Sequence, residues 1–481
     1  MTGCKINSVD QKPVMKTNQQ STRREMLRKS VTPALPLFVP AHVLGGRGRV
    51  GANDRIHIGV IGTGARGKYL IANMPPAGRV VSLCDCSSSR IDQTLHPAGK
   101  FLKPLAQFRE SEARHCTSYQ DYRQMIDREK LDAVIIATPD HHHAQAALLA
   151  FQALLDVYVE KPLALTIAEG RAMVNAAKRY KRIVQVGSQQ RTMQVNRFAC
   201  EFVRDGGLGT LSRIDVPNFP GPIPYDNLDD QPVPNHLDWN LFLGPTPVRT
   251  HHRRLWVKDE FKVGNLLWRG WDFWRDYSGH GMTNWGAHRL DMVHYALGID
   301  NGGPVEIHPQ KQLLSASLAD RWKKVTLPFG TLKNRNADEM RFCPVTMQYA
   351  NGVELRFHPD AEDAVFYGDR GKLLIKRNDY RAEPADLIPA PDPQEQARWK
   401  GAGFVARPHI ENWLDCIRSR KTPNAPIEVG HGAATVCHLA NIVRELGRSL
   451  RWDPSNEVFP DDAQANQLLN RPRRTGFELP T

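Results

Sequence analysis

A chain of 481 residues with 41% hydrophobic side chains is too long for one ordinary domain and apolar enough to bury large cores, so two domains with extensions are expected. The net charge of +13 does not argue for nucleic acid: nine Lys or Arg against only Asp10 and Glu25 fall within residues 1–53, and the remaining excess is spread thinly with no long basic run. The absence of any run of 18 apolar residues argues against stable membrane insertion. Eight scattered cysteines without a CxxC pair give neither a zinc signature nor a small disulfide scaffold.

In chain order, the run from Ser21 to Lys29, with Arg23 and Arg24 adjacent, resembles a twin-arginine export signal and is followed by a moderately apolar stretch, Val31 to Leu44. Pro33, Pro36 and Pro40 make that stretch a poor membrane helix. Export of a folded protein to the periplasm is the expectation; a basic tail on a cytoplasmic enzyme is the alternative. Residues 45–53 are rich in Gly and Arg and are read as a linker.

The β-branched run Ile56, Ile58, Val60 and Ile61 then breaks into Gly62-x-Gly64-x-x-Gly67 and a helix start at Lys68 to Ala72, the strand, turn and helix of a dinucleotide-binding unit. In such a unit Gly62 takes the tight turn, Gly64 admits a pyrophosphate close to the backbone, and Gly67 lets helix lie on strand. A second apolar strand, Val80 to Cys84, ends in Asp85, placed to bind a ribose 2′-hydroxyl. That favours NAD. NADP stays possible because Arg90 is close in sequence.

Strands and helices continue to alternate through a strand at Ala133 to Ala137, a helix over Ala144 to Ala153, a strand at Val157 to Val159, and a helix opened by the capping box Thr166 to Glu169. The alternation predicts an N-terminal α/β domain with a doubly wound parallel Rossmann sheet. Ligands in such sheets bind beyond the carboxyl ends of strands, where 138–143 and 160–162 fall. After residue 183 the pattern changes: a loop-rich, Trp-rich segment fills 217–280, Asn351-Gly352 sits between two apolar runs as a hairpin signal, and a second hairpin is expected near Gly368 to Gly371. This predicts a C-terminal α+β domain with a largely antiparallel sheet, closed by helices near 409–418 and 431–446. The boundaries are placed at 1–53 for signal and linker, 54–182 for the Rossmann domain, 183–405 for the substrate domain, and 406–481 for the C-terminal helices and tail.

Four motifs, GTGARG at 62–67, ATPDHHHA at 137–144, EKP at 160–162 and GMTNWGAHRLD at 281–291, resemble those of the glucose-fructose oxidoreductase, inositol dehydrogenase and rhizopine-catabolism family, Gfo/Idh/MocA. The resemblance implies hydride transfer between NAD and a sugar or polyol. It implies that Lys161 polarises the substrate hydroxyl, with Glu160 and Pro162 shaping its loop, and that His288 takes the proton. His141 and His143 match the repeated histidines of the family's cofactor loop. Three adjacent histidines in one loop cannot all face one ion, so no metal is expected. Asn284, His288 and Asp291 are spaced to share one face of an α-helix, but Asn284 stands where the family usually has aspartate, which puts the base strength of His288 in question.

The expected cofactor contacts are Gly62, Gly64, Ala65, Arg66, Gly67, Asp85, Thr138, Pro139, His141, His143, Glu160, Lys161 and Gln189. The expected catalytic set is Lys161, His288, Asn284 and Asp291, and the expected substrate contacts are Lys161, Arg191, Trp274, Arg275 and His288. Six tryptophans, Trp239, Trp256, Trp268, Trp271, Trp274 and Trp285, lead into the catalytic helix; they suit stacking on sugar C–H faces or, equally, packing of a loop-rich domain. Arg269 is a further candidate for binding a hydroxyl or carboxylate. Partners are therefore a sugar or glycoside and, by resemblance, further copies of the chain in a homo-oligomer. Alternative readings are a redox-neutral glycosidase or sugar–sugar oxidoreductase with tightly bound, internally recycled NAD, and a sugar-binding protein without turnover.

Overall fold

The computed structural model describes residues 51, 54–225, 228–256, 261–263, 266–268, 270–299, 302–313, 340–399 and 407–480. The chain divides into two compact units, Met1–Asp54 and Arg55–Thr481. The twin-arginine stretch, the apolar run after it and Arg269 lie outside the described residues, as do the side chains of 261–263 and 266–268.

The first half of the second unit is a six-stranded sheet of β1 (Ile56–Ile61), β2 (Gly78–Cys84), β3 (Thr117–Tyr119), β4 (Ala133–Ile136), β5 (Asp156–Val159) and β6 (Val184–Val186), in the order β3-β2-β1-β4-β5-β6 and parallel throughout. Its helices include α1 (Ala65–Ala72), α2 (Ser88–Leu95), α3 (Tyr122–Arg128), α4 (His143–Gln152) and α5 (Ile167–Arg179). Central strands covered on both faces must be apolar at every position, and β4 and β5 are buried along their whole length. Thr166 caps α5 as expected, accepting from the Glu169 amide at 3.2 Å. The Glu169 carboxylate closes the turn on the Leu165 amide instead of its own cap residue.

β6 pairs with β5 in this sheet, so the Rossmann unit runs past the boundary expected at residue 182. One face of the sheet is covered by the far end of the chain. In α8 (Arg407–Ser419), Ile410, Trp413 and Leu414 pack on Ile56, Ile58 and Val60.

The second half is an eight-stranded sheet in the order β13-β12-β11-β7-β10-β9-β8-β14, formed by β7 (Leu211–Pro217), β8 (Pro304–Pro309), β9 (Val345–Tyr349), β10 (Glu354–His358), β11 (Ala364–Gly368), β12 (Gly371–Lys376), β13 (Asp379–Glu383) and β14 (Leu450–Arg451). All its pairs are antiparallel except β7 with β10. Both expected hairpins are present; Gly352 at the first turn has φ +87°, a backbone region natural to glycine. Helices α6 (Gln194–Arg204), α7 (Ala287–Leu297) and α9 (Ile427–Leu446) pack on the sheet. At its start α9 places Ile427 and Ala434 in the Rossmann core, and further on Val436, Leu439 and Val443 in the second core, so one helix joins both halves. No described helix is long and apolar enough to cross a membrane.

Candidate active site

The glycine turn after β1 is built for close approach. Gly62 has φ +92°, and a Cβ on it would fall 2.6 Å from the Ala137 carbonyl oxygen, while one on Gly67 would fall 2.0 Å from the Gly62 oxygen. Both positions exclude a side chain. A Cβ on Gly64 meets nothing within 4 Å, and no side chain caps the first turn of α1, where Ala65 and Arg66 stand. Open space over bare helix N–H groups fits a pyrophosphate. In the next loop the Thr138 hydroxyl, beside Pro139, is buried without a hydrogen-bond partner, a second polar group suited to a bound nucleotide. The residues present therefore fit NAD.

Asp85 does more than await a ribose. Its carboxylate accepts from the Thr63 amide at 2.9 Å and hydroxyl at 3.2 Å, and from the Ser87 amide at 3.0 Å, so it staples the glycine turn to the end of β2. The adenosine end of the cleft is roofed by the second half of the chain. Asp238 and Ser88 exchange backbone bonds across this seam with Cys86 and His236, and the Arg90 guanidinium lies 3.9 Å over the Trp256 ring.

The three histidines diverge. His141 and His142 each donate from Nε2 to the Phe242 carbonyl at 2.9 Å, whereas His143 sets its two ring nitrogens against the carbonyls of Pro162 at 2.8 Å and Thr138 at 3.1 Å. His143 thereby ties the 138 loop to the EKP loop, and His141 is turned towards the roof segment. Burial comes first in holding His141 well below the usual histidine range and His142 down at about 4.

Glu160 and Lys161 follow β5. Glu160 accepts from Arg66 Nε at 2.7 Å and from Gln189 Nε2 at 3.4 Å; Gln189 thus supports the loop from behind. Lys161 donates from Nζ to the Asn284 carbonyl at 2.9 Å and its side-chain Oδ1 at 2.5 Å. Here the structure corrects the shared face expected for Asn284, His288 and Asp291. Met282–Gly286 is π-helical and only then does α7 begin, so α-helical spacing does not carry across it. Asn284 turns to Lys161, not to His288.

Asp291 is directed elsewhere too. Its Oδ1 accepts from Arg191 Nε at 2.7 Å with both side chains buried, and the Arg191 guanidinium lies over the Tyr295 ring. Arg191 and Asp291 form a buried structural pair between the Gln189–Thr192 turn and α7, in place of the substrate and catalytic contacts expected of them. His288 itself is buried, and its Nδ1 has no hydrogen-bond partner. Burial first, then the cations of Arg377, Lys161, Arg289 and Arg66, keep its imidazole well below the usual range. It is neutral and able to accept a proton.

The tryptophan expectation divides. Trp274 is fully buried against Tyr225 and Phe273, so it packs a core and cannot stack on a substrate. Arg275 pairs with Glu445 near the end of α9. Trp285, by contrast, is 46% exposed with its ring 6.5 Å from that of His288. Sequence reasoning missed three further residues near the centre. Arg289 binds Asp363. Arg377 sits between β12 and β13. Asp140 accepts from the Ser278 hydroxyl at 2.7 Å, and its carboxyl is raised to about 6 by burial. Among these, only Asp140 lay inside a recognised motif; nothing local marks a cation on a hairpin tip.

Residues 56–188 match the family model described as oxidoreductase family, NAD-binding Rossmann fold, and residues 223–479 match that described as oxidoreductase family, C-terminal alpha/beta domain. The chain belongs to the Gfo/Idh/MocA oxidoreductase family. As a Gfo/Idh/MocA protein it is an NAD-binding oxidoreductase of two-domain fold. It is similar to a glycosyl hydrolase family 109 protein of Solibacter usitatus, 31% identical over 135 residues, which are 27% of this chain and 29% of that protein. It is similar also to a levoglucosan dehydrogenase of Pseudarthrobacter phenanthrenivorans, 34% identical over 94 residues, 20% of this chain and 24% of that protein. The matches thus span less than a third of these two relatives. Among solved structures, the WlbA dehydrogenase of Bordetella pertussis in complex with NADH and UDP-GlcNAcA superposes with a TM-score of 0.55 at 15% identity, covering 83% of this chain and 99% of that one; this likeness shows the fold.

Proposed function

We propose that this Gfo/Idh/MocA member oxidises a secondary hydroxyl of a sugar, polyol or sugar derivative, with NAD as hydride acceptor. The observation that carries the reading is the pairing of Lys161, fixed by two carbonyl oxygens of Asn284, with a neutral buried His288 whose Nδ1 is unsatisfied. When bound, NAD supplies a two-electron acceptor. Lys161 keeps a further N–H for the substrate oxygen and stabilises negative charge developing there. His288 accepts the hydroxyl proton, and Trp285 offers an exposed ring for the sugar's C–H face. Names of partial relatives, a levoglucosan dehydrogenase and inositol 2-dehydrogenases, support the substrate class.

A second reading is favoured by the roof over the adenosine end. A nucleotide under the Cys86–Asp238 seam and the Arg90–Trp256 stack would leave slowly, which suits recycled NAD in a redox-neutral reaction on a glycoside, as the glycosyl hydrolase name of one relative suggests. It also suits the proposed twin-arginine export to the periplasm, since that route carries folded protein with its nucleotide. Assembly into a homo-oligomer belongs to the same proposal. Mass spectrometry of nucleotide released from desalted protein, with absorbance followed during addition of sugars and glycosides, separates the readings. An empty protein that accumulates NADH from a sugar with added NAD is the expected result for net dehydrogenation. Stoichiometric retained NAD with glycoside cleavage and no lasting NADH overturns it in favour of recycling.

For cofactor choice we propose NAD over NADP, because the Asp85 carboxylate would repel a 2′-phosphate. Asp85→Asn removes one charge and keeps acceptors for the Thr63 turn. The NADP-to-NAD ratio of binding constants is expected to rise on the order of tenfold, measured by fluorescence titration of the reduced cofactors; an unchanged ratio would leave Asp85 a purely structural staple.

A further inference from the structure

The catalytic centre holds an excess of positive charge that the chain itself does not balance. Four cations, Arg66, Lys161, Arg289 and Arg377, act electrostatically on the buried His288. Two carboxylates serve them: Glu160, held by Arg66 at 2.7 Å, and Asp363, which engages Arg289 through both oxygens. These same two are the carboxylates that act on Arg377, so neither is dedicated to it. Asp140 reaches Lys161 electrostatically from the histidine loop while accepting the Ser278 hydroxyl. Counting it as fully ionised still leaves the cluster positive, and an oxidised nicotinamide ring adds another positive charge.

Arg377 is also placed with care. It occupies the tip between β12 and β13, whose flanking backbone is clamped by one side chain: Asn196 of α6 donates to the Lys376 carbonyl at 2.7 Å and accepts from the Asn378 amide at 2.8 Å. Asn378 holds the turn at φ +61° and donates to the Gln396 carbonyl at 2.8 Å. A half-buried guanidinium on a fixed tip, crowded by two other arginines, is a costly arrangement unless something anionic joins it.

We infer that the substrate carries an anionic group, a carboxylate or a phosphate ester, and that Arg377 is the specificity-determining residue that receives it beside Lys161 and His288. The inference deepens the hydride-transfer reading and rests on it for turnover, but not for binding. A planar guanidinium accepts either anion through paired N–H donors. Such a contact turns the positive cluster from a liability into a filter against neutral sugars, and the anion would lower the repulsion that opposes protonation of His288.

The test has two independent readouts. In the first, NADH-loaded protein is titrated calorimetrically with glucuronate, glucose 6-phosphate and glucose. Either anion is expected to bind on the order of 10–100-fold more tightly than glucose, the preferred one telling carboxylate from phosphate. Equal or tighter binding of glucose overturns the inference. In the second, kcat/KM is compared over the same panel with added NAD, and Arg377→Gln is expected to lower the ratio of anionic to neutral substrate at least tenfold, mainly through KM. An unchanged ratio in a folded variant removes Arg377 from the role. Selective anion binding without NADH formation from any member of the panel would sink hydride transfer as the reaction while leaving the anion site standing. A misfolded variant leaves the wild-type titration to decide.

Discussion

Lys161→Met lowers kcat for hydride transfer by a factor on the order of 10²–10³, the usual loss when a preorganised donor to a developing oxyanion is removed, while NADH affinity stays within about threefold. Methionine keeps the length and apolar body of the stem, so the EKP loop retains its other contacts: Glu160 to Arg66 and Pro162 to His143. What is lost is one ammonium whose direction is set by the Asn284 carbonyls. Single-turnover formation of NADH reads the chemistry and fluorescence titration reads the cofactor. If both fall together, Lys161 is a cofactor anchor; if neither falls, the proposed centre is elsewhere. Because Asn284 holds Lys161 and not His288, its replacement of the family's usual aspartate bears first on the lysine: an amide fixes the ammonium without neutralising it, leaving more charge for the substrate oxygen.

Acid unfolds this protein well before its carboxylates are protonated. Seven described histidines, His141, His142, His280, His288, His294, His409 and His438, are buried and have pKa values pushed below the ordinary value, in each case first by burial. For His142, His294 and His409 the value falls to about 4. The sign follows from linkage. A depressed folded-state pKa means that the unfolded chain takes up protons the native state refuses, so the stability is complete above about pH 6.5 and is lost as pH falls towards 4. Each such group removes roughly 1.4 kcal/mol per pH unit across that window. Asp140 opposes this, since a raised carboxyl gains stability as pH falls through about 6, but it is one group against seven. Glu457, held down to about 2 chiefly by its bonds to Arg171 and His431, adds its own loss only at lower pH. Several kcal/mol are therefore expected to disappear between pH 6.5 and 5, against a typical total of about 5–15 kcal/mol. Urea unfolding at half-unit pH steps measures it; a midpoint flat from pH 7.5 to 5 would mean that these histidines protonate in place.

Much of the fold was legible from residues 56 to 180 because its causes are local. A strand buried on both faces must be apolar throughout, the turn after it must be glycine where a Cβ would strike the Ala137 or Gly62 carbonyl, and Asn351-Gly352 makes a hairpin with strands that pair only with each other across it. The end of the Rossmann unit was harder to read, since β6 is a three-residue strand whose only mark is the company it keeps.

The site separates the two kinds of information more sharply. Lys161 and His288 were recognisable from their motifs, yet the helix that carries His288 opens with a π turn, and no periodicity in the sequence announces where a helix gains a residue. Trp274 and Trp285 look alike in a tryptophan-rich run; which one faces solvent depends on a core assembled from Ile223, Trp239 and Tyr277.

By itself, then, the sequence determined the strands, the glycine turn, the cofactor class and the two residues proposed for chemistry, because each follows from backbone sterics or from a short motif. Tertiary structure alone decided the partners of the charges: Arg191 with Asp291 at a separation of 100 residues, Lys161 with Asn284 at 123, and Arg377 brought to His288 by a hairpin. Ion pairing depends on distance in space and on the water excluded around it, and neither is written in the order of residues along the chain.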